Sequence, residues 1–345
     1  MTNWQQLIDI GALDRWMDSK ALQPGRISDP QPLSGGTQNI LLRFNRGDRR
    51  YVLRRPPPHP RPESNEAMRR EARVLGALAG TDVPHPPLIA ACEDESVLGV
   101  VFYLMGEVDG INPTNGLAGV HATPDVQHDM GLAVVDAMAA LGRVDYRAVG
   151  LEDFGRPDGY LDRQVARWAK QLKSYEQFER WPGAAGLPHL TQVQRWLAAN
   201  QPGQFIPGIM HGDLHLANVM FDRGSAKLAA VIDWELATIG DPLIDLGWLL
   251  ATWPGNDNPM ASIIRVQPWL GFPSEAELIE RYRAGSSREL AFIGWYKALA
   301  CYKLAIILEG THARACAGQA TAEMGERMHT AAVALFERAA RSIGL

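Results

Sequence analysis

At 345 residues, 46% of them hydrophobic, the chain has apolar material for a large core and exceeds a single domain of about 100 to 200 residues. Two lobes with a cleft between them fit that length. Net charge is only −5, with acidic and basic residues mixed throughout, which argues against a nucleic-acid or membrane surface and for a small-molecule partner.

In chain order, Leu7, Ile8, Leu13, Trp16 and Met17 fall at helical spacing and predict an amphipathic helix that ends before Pro24-Gly25 and covers the next sheet without chemistry of its own. Asp9 and Asp14 interrupt this stretch, so it does not read as a secretion signal. Strands are predicted over Ile40 to Phe44 and Tyr51 to Arg54, joined by a turn at Asn45-Arg46-Gly47-Asp48 and preceded by the Gly-rich loop SGGTQN, Ser34 to Asn39. Five prolines between Pro56 and Pro62 break the chain before a helix from about Ser64 to Leu78. Strands at Leu88 to Cys92 and Val97 to Met105, joined by an acidic turn, complete an antiparallel sheet with one inserted helix. After GEVDG, helical patterns dominate from about Pro124, interrupted by a β-like island from His211 to Asp233. The boundary near Gly106 to Asn112 divides an N-lobe, 1–108, from a C-lobe, 109–345.

Cys92, Cys301 and Cys316 are an odd, scattered set, which argues against a disulfide framework or a structural zinc site and favours a reducing, cytoplasmic setting. No apolar run reaches the about 18 to 20 residues that span a bilayer.

The island carries the chemistry. Asp213 in HGDLHLAN, Asn218 five residues later and Asp233 in VIDWE, after a short apolar strand, reproduce the spacing of kinase catalytic loops. Each Asp alone would read as a turn or cap; the three together, flanked by Val219, Met220, Phe221, Val231 and Ile232, read as a site. A zinc site from His211, His215 and Asp213 is the competing reading, but it lacks a further ligand at helical spacing.

From about residue 30 to 250 the chain resembles the aminoglycoside phosphotransferase and choline kinase superfamily. That resemblance implies an α+β, bilobal protein-kinase-like fold: an N-lobe of antiparallel sheet plus helix, and a mostly helical C-lobe. It implies an ATP- and magnesium-dependent phosphotransferase in which Asp213 orients the acceptor hydroxyl and accepts its proton, Asn218 and Asp233 hold Mg²⁺, and His211 braces the loop.

The usual strand lysine is absent, and strand alternation in YVLRR selects Arg54 rather than Arg55 as the cation facing the cleft. Arginine can hold phosphate oxygens in a fork, with altered geometry. Glu71 sits on the apolar face defined by Ala67, Met68, Val74, Leu75 and Leu78, where a carboxylate needs a partner; the resemblance supplies Arg54, and Arg70 or Arg73 are the local alternatives. In kinase-like proteins Gly35, Gly36 and Thr37 would approach the ATP phosphates, while the Gly106 carbonyl and Val108 amide would face the adenine.

Gly212 replaces the arginine by which regulated protein kinases sense phosphorylation, and only seven residues separate Asp233 from Asp241, so a protein substrate is disfavoured. Asp241 and Asp245 are expected to fix this turn and cap the following helix. The stretches Gly155 to Leu172, YVLRRPP and IDWELATIGDPLIDLGWLL look most similar to the kinase-like module fused to, or encoded beside, acyl-CoA dehydrogenases. This implies a hydroxyacyl-CoA or hydroxy acid acceptor and an acyl-CoA dehydrogenase partner. Arg156, Arg163, Arg167 and Lys170 either meet CoA phosphates or form a solvated helix face. Two alternatives remain: an aminoglycoside-type antibiotic kinase, which would want an acidic acceptor site absent from the C-terminal half, and a catalytically silent nucleotide-binding module.

Overall fold

The computed structural model describes residues 4–33, 39–254 and 263–345. Its N-terminal part is a five-stranded antiparallel sheet in the order β1-β2-β3-β5-β4, built from β1 (Ile27–Pro32), β2 (Ile40–Arg46), β3 (Arg49–Arg55), β4 (Leu88–Cys92) and β5 (Phe102–Gly106). Alternation in β3 sends Tyr51 and Leu53 to the outer face, where they pack with Leu42, Phe44, Phe102 and Leu104 beneath Leu13, Trp16 and Met17 of α1 (Ile10–Ser19). Arg46, fully buried at the hairpin end, ties that helix down through Asp18 and the Gly25 carbonyl. On the inner face lies α2 (Ser64–Ala77), whose Met68, Val74 and Leu75 join Val101 and Tyr103 in the main core.

The remainder is helical: α3 (Pro124–Arg143), α4 (Asp162–Lys173), α5 (Leu190–Ala199), α6 (Leu243–Thr252), α7 (Glu275–Gly285), α8 (Ile293–Cys316) and α9 (Ala322–Ser342). Every residue of this largely apolar helix α6 is buried, Asp245 included, and it packs on α8, which also runs along α9. Two ribbons form the island: β6 (Gly208–Met210) with β9 (Thr238–Gly240), and β7 (Val219–Phe221) with β8 (Leu228–Val231). The fold is thus the α+β, protein-kinase-like arrangement expected. Among the described residues no helix is long and apolar enough to cross a membrane.

Three local expectations need correction. β1 escaped notice because Pro30 and Pro32 argue against a strand, yet at the sheet edge a proline forfeits no ladder bond. The strand predicted from Val97 begins only at Phe102: Asp94 accepts the Ser96 and Val97 amides in a turn, and Asn65 Oδ1 at the start of α2 takes the Val101 amide at 3.1 Å. Asn45 and Arg46 belong to β2, leaving a two-residue turn at Gly47-Asp48.

Candidate functional site

Pairing of Val219 with Val231 sets Asn218, just before β7, beside Ile232 and Asp233, just after β8; the Ile232 amide donates to the Asn218 carbonyl at 2.9 Å. β6 delivers the other half of the loop, His211-Gly212-Asp213. Gly212 has φ +85°, and a Cβ there would meet the Leu236 carbonyl oxygen at 2.6 Å, so this position needs glycine. The His211 and Gly212 amides donate at 2.7 and 2.8 Å to Asp245, buried in α6. Asp245 therefore braces the His211–Asp213 loop rather than capping its own helix, while Asp241 does take the Leu243 amide at 3.1 Å. Burial raises the Asp245 carboxyl to about 6, against the pull of its two amide donors.

His211 has both ring nitrogens engaged. Nδ1 accepts the Asp213 amide at 3.3 Å and Nε2 lies 3.0 Å from the Ile232 carbonyl, which assigns the proton to Nε2 of a neutral ring; burial lowers its pKa to about 4 despite Asp213 nearby. This overturns the zinc reading, since neither nitrogen is left for a metal. His211 thus ties the loop to the end of β8.

Asp213 divides its two oxygens between different neighbours. Oδ2 accepts from Asn218 Nδ2 at 3.1 Å, and that amide also donates to the Asp213 carbonyl at 2.9 Å, which fixes the amide orientation and leaves Asn218 Oδ1 as its acceptor atom. Oδ1 accepts from Trp248 Nε1 of α6 at 2.9 Å and lies 3.3 Å from His215 Nε2. Because His215 Nδ1 accepts the Ala217 amide at 3.2 Å, it is Nε2 that donates to Asp213. Burial alone would raise the Asp213 pKa, but the His215 hydrogen bond and the nearby His211 and Lys303 outweigh it and hold the carboxylate below its ordinary range.

The sheet side supplies the cation. Arg54 places an NH2 nitrogen 2.6 Å from Asp233 Oδ1 and its Nε 2.9 Å from Glu71 Oε2, the second contact being an ion pair without hydrogen-bond alignment. Burial opposes the Arg54 charge, but Glu71 and Asp233 overcome it and raise its pKa. Burial likewise pushes Glu71 up, to about 7, with Arg54 pulling the other way; we take the pair as ionised, because Arg54 is flanked by two carboxylates and Glu71 also accepts the Trp234 amide at 3.2 Å. The local alternatives for Glu71 are excluded: Arg70 donates to the Phe154 and Ala237 carbonyls, and Arg73 pairs with Asp153. Arg55, on the opposite face, donates to the Leu7 carbonyl. Asp233 itself is held at φ +68°, a left-handed conformation uncommon outside glycine and costing on the order of 1 kcal/mol.

Gly35, Gly36 and Thr37 lie outside the described residues. Gly106 ends β5 opposite Tyr51 and donates its amide to the Pro87 carbonyl at 2.9 Å; Val108 follows in the linker. Between them Glu107 lies 3.3 Å from both Arg43 and Arg50 of the hairpin. Further on, Ile111 exchanges backbone hydrogen bonds with Phe221, and Asn112 Nδ2 donates to the Ala217 carbonyl at 2.6 Å, so the linker is laced to the HGDLHLAN loop and β7. Arg163 donates to the Arg156 and Asp158 carbonyls, an ordinary loop brace.

Sequence reasoning missed Trp248, Lys303 and Glu235. Glu235 lies 3.9 Å from Arg54, and burial raises its pKa, reinforced by Asp233. Lys303 of α8 sets Nζ 3.4 Å from the Gly212 carbonyl and 4.1 Å from the centre of the Trp248 ring. Burial lowers the Lys303 pKa to about 8, against Asp213 and Asp245. The hint in the sequence is a single lysine inside the apolar stretch Ala298 to Leu308 of α8.

Asn218 Oδ1 and the Asp233 carboxylate are hard oxygen donors next to Asp213, a set suited to Mg²⁺, and the orientation of the Asn218 amide leaves its oxygen as the donor. A fork-shaped cation beside one carboxylate, and a second carboxylate beside an amide oxygen, are groups that phosphoryl transfer could use.

The Phosphotransferase enzyme family model matches residues 29–285, and the chain belongs to this family. It is 30% identical over 330 residues to acyl-CoA dehydrogenase family member 11 of Gallus gallus, covering 92% of this chain but 41% of that protein. The chain thus spans about two fifths of the length of that relative. Among solved structures, a provisional aminoglycoside phosphotransferase from Ralstonia eutropha has TM-score 0.80 and 31% identity, covering 96% of this chain and 98% of the other. Aminoglycoside phosphotransferase APH(4)-Ia in a ternary complex with AMP-PNP and hygromycin B shares the fold at TM-score 0.60 and 17% identity, covering 96% and 98%.

Proposed function

We propose that this chain transfers the γ-phosphoryl group of ATP to a hydroxyl of a small acceptor that carries an anionic group, a hydroxyacyl-CoA or a hydroxy acid. Residues 1–108 would serve as the nucleotide lobe and 109–345 as the lobe that takes the acceptor. The observation that carries the reading is one connected chain of contacts: Asp213 to Asn218 at 3.1 Å, Asn218 to Ile232 beside Asp233, Asp233 to Arg54 at 2.6 Å, and Arg54 to Glu71 at 2.9 Å.

Asp213 is the general base. Its carboxylate is kept ionised and aimed by Asn218, His215 and Trp248, so it can orient the acceptor hydroxyl and take its proton on attack at the γ-phosphorus. Asn218 and Asp233 would hold Mg²⁺, which when bound neutralises charge on the phosphates. Arg54, positioned by Glu71, would meet the phosphate oxygens, and the Gly106 carbonyl and Val108 amide would meet the adenine edge; Gly35, Gly36 and Thr37, outside the described residues, are proposed as further phosphate contacts. His211 holds the loop against β8 and takes no proton, since its ring stays neutral.

Lys303 and the Trp248 ring beside Asp213 favour an anionic acceptor over a polycationic antibiotic. The relatives named as acyl-CoA dehydrogenases support an acyl-CoA acceptor and a dehydrogenase partner for this chain.

The test is a thermal shift with ATP, with and without magnesium, followed by ADP release against hydroxyacyl-CoAs, hydroxy acids, amino alcohols and aminoglycosides. Magnesium-dependent stabilisation and turnover on the acyl or hydroxy acids are expected. Nucleotide binding without turnover on any acceptor would favour the silent module, and turnover confined to aminoglycosides would refute the anionic acceptor.

A further inference from the structure

Outside the phosphoryl site, α8 and α9 bring together Glu309, His312 and His329, one ligand atom from each lying within 4.8 Å of the others. Glu309 is fully buried, an expensive place for a carboxylate. Its Oε1 accepts from Trp181 Nε1 at 2.7 Å, and its Oε2 lies 2.7 Å from His329 Nδ1, so the indole fixes one oxygen while the other faces the imidazoles. The two imidazole rings stack at 4.5 Å. Glu309, His312 and Cys316 share one face of α8, and Cys316 Sγ lies 3.7 Å from His312 Nε2. The helices can approach here because residue 325 of α9 is glycine: a Cβ on Gly325 would meet the Ala315 Cβ at 2.4 Å.

We infer that Glu309, His312 and His329, with Cys316 as fourth ligand, form a binding site for a borderline divalent cation of the zinc class. Zinc bond lengths of about 2.0 to 2.3 Å place tetrahedral co-ligands roughly 3.3 to 3.6 Å apart, a spacing inside the 4.8 Å that bounds the ligand atoms of Glu309, His312 and His329, and Cys316 Sγ approaches the cluster from the His312 side at 3.7 Å. Imidazole, carboxylate and thiolate together suit zinc, whereas magnesium prefers oxygen alone. The scattered cysteines argue against a cysteine-based zinc framework, and this site instead draws chiefly on histidine and carboxylate gathered from two helices. The bound ion would clip α9 and, through Trp181, the segment after α4 to the C-terminal half of α8, the helix that carries Lys303.

The experiment uses the full chain without a histidine tag. Zinc chloride is titrated by calorimetry into wild type, His312→Gln and Glu309→Gln, and cobalt chloride absorption is recorded for wild type and Cys316→Ser, with circular dichroism verifying that each variant is folded. One zinc per chain is expected at sub-micromolar affinity, unaffected by excess magnesium, with a rise of several degrees in Tm. His312→Gln, half-exposed and mild, should weaken binding at least thirtyfold, and cobalt should show a thiolate charge-transfer band that Cys316→Ser removes. Folded wild type that takes up no stoichiometric zinc, or zinc affinity unchanged in both ligand variants, overturns the site and leaves Glu309 and His329 as a structural pair; a cobalt spectrum without the thiolate band overturns the four-ligand form. None of these readouts depends on phosphoryl transfer.

Discussion

Arg54 and Glu71, on the sheet side of the crevice, retain 10% and 1% of their side-chain exposure, whereas Asp213 and Asp233, on the helical side, keep 29% and 38%. The first pair is sealed between β3 and α2, where each charge is tolerable only because the other is present. The second pair stays exposed enough to take up the metal and substrate of the proposed function. On the proposed function, charge near the phosphates would be fixed from one wall and left accessible from the other, which would separate positioning from reaction.

The sharpest way to break this comparison is Asp213→Asn, which keeps shape and removes the base. Turnover should fall about a thousandfold while ATP affinity changes less than about twofold, measured by steady-state kinetics and nucleotide titration. Normal turnover would remove Asp213 from its role. On the sealed side, Glu71→Gln leaves Arg54 without its inner partner and should lower stability by about 3 kcal/mol in urea unfolding. A loss near zero would show the pair is less buried in solution than its surroundings imply. Asp233→Asn should weaken nucleotide binding about a hundredfold with magnesium present and much less without it; equal weakening in both conditions would argue against metal ligation.

The smallest effect is expected at Lys303, between the two regimes. Its folded pKa is lowered to about 8, so the cation is present below that pH and is lost as pH rises through it. For an anionic acceptor, kcat/KM should fall above about pH 8, and Lys303→Met should raise KM about tenfold, erase that alkaline limb and leave kcat nearly unchanged. An alkaline limb that persists in Lys303→Met would assign it to another group.

The sequence by itself determined the α+β fold, the order HGDLHLAN then VIDWE, the choice of Arg54 over Arg55 for the inner face and the place of Glu71 on an apolar helix face. These follow from strand and helix periods of about 2 and 3.6, or from short spacings that survive folding. Only the tertiary structure decided that Trp248 and Lys303 stand beside Asp213 and Gly212, that Asp245 braces the loop, that β5 lies between β3 and β4, and that Glu309 meets His329. No repeating pattern links residues 35 or 91 positions apart; their meeting depends on how α6 and α8 pack on the island, a choice made by the whole core at once.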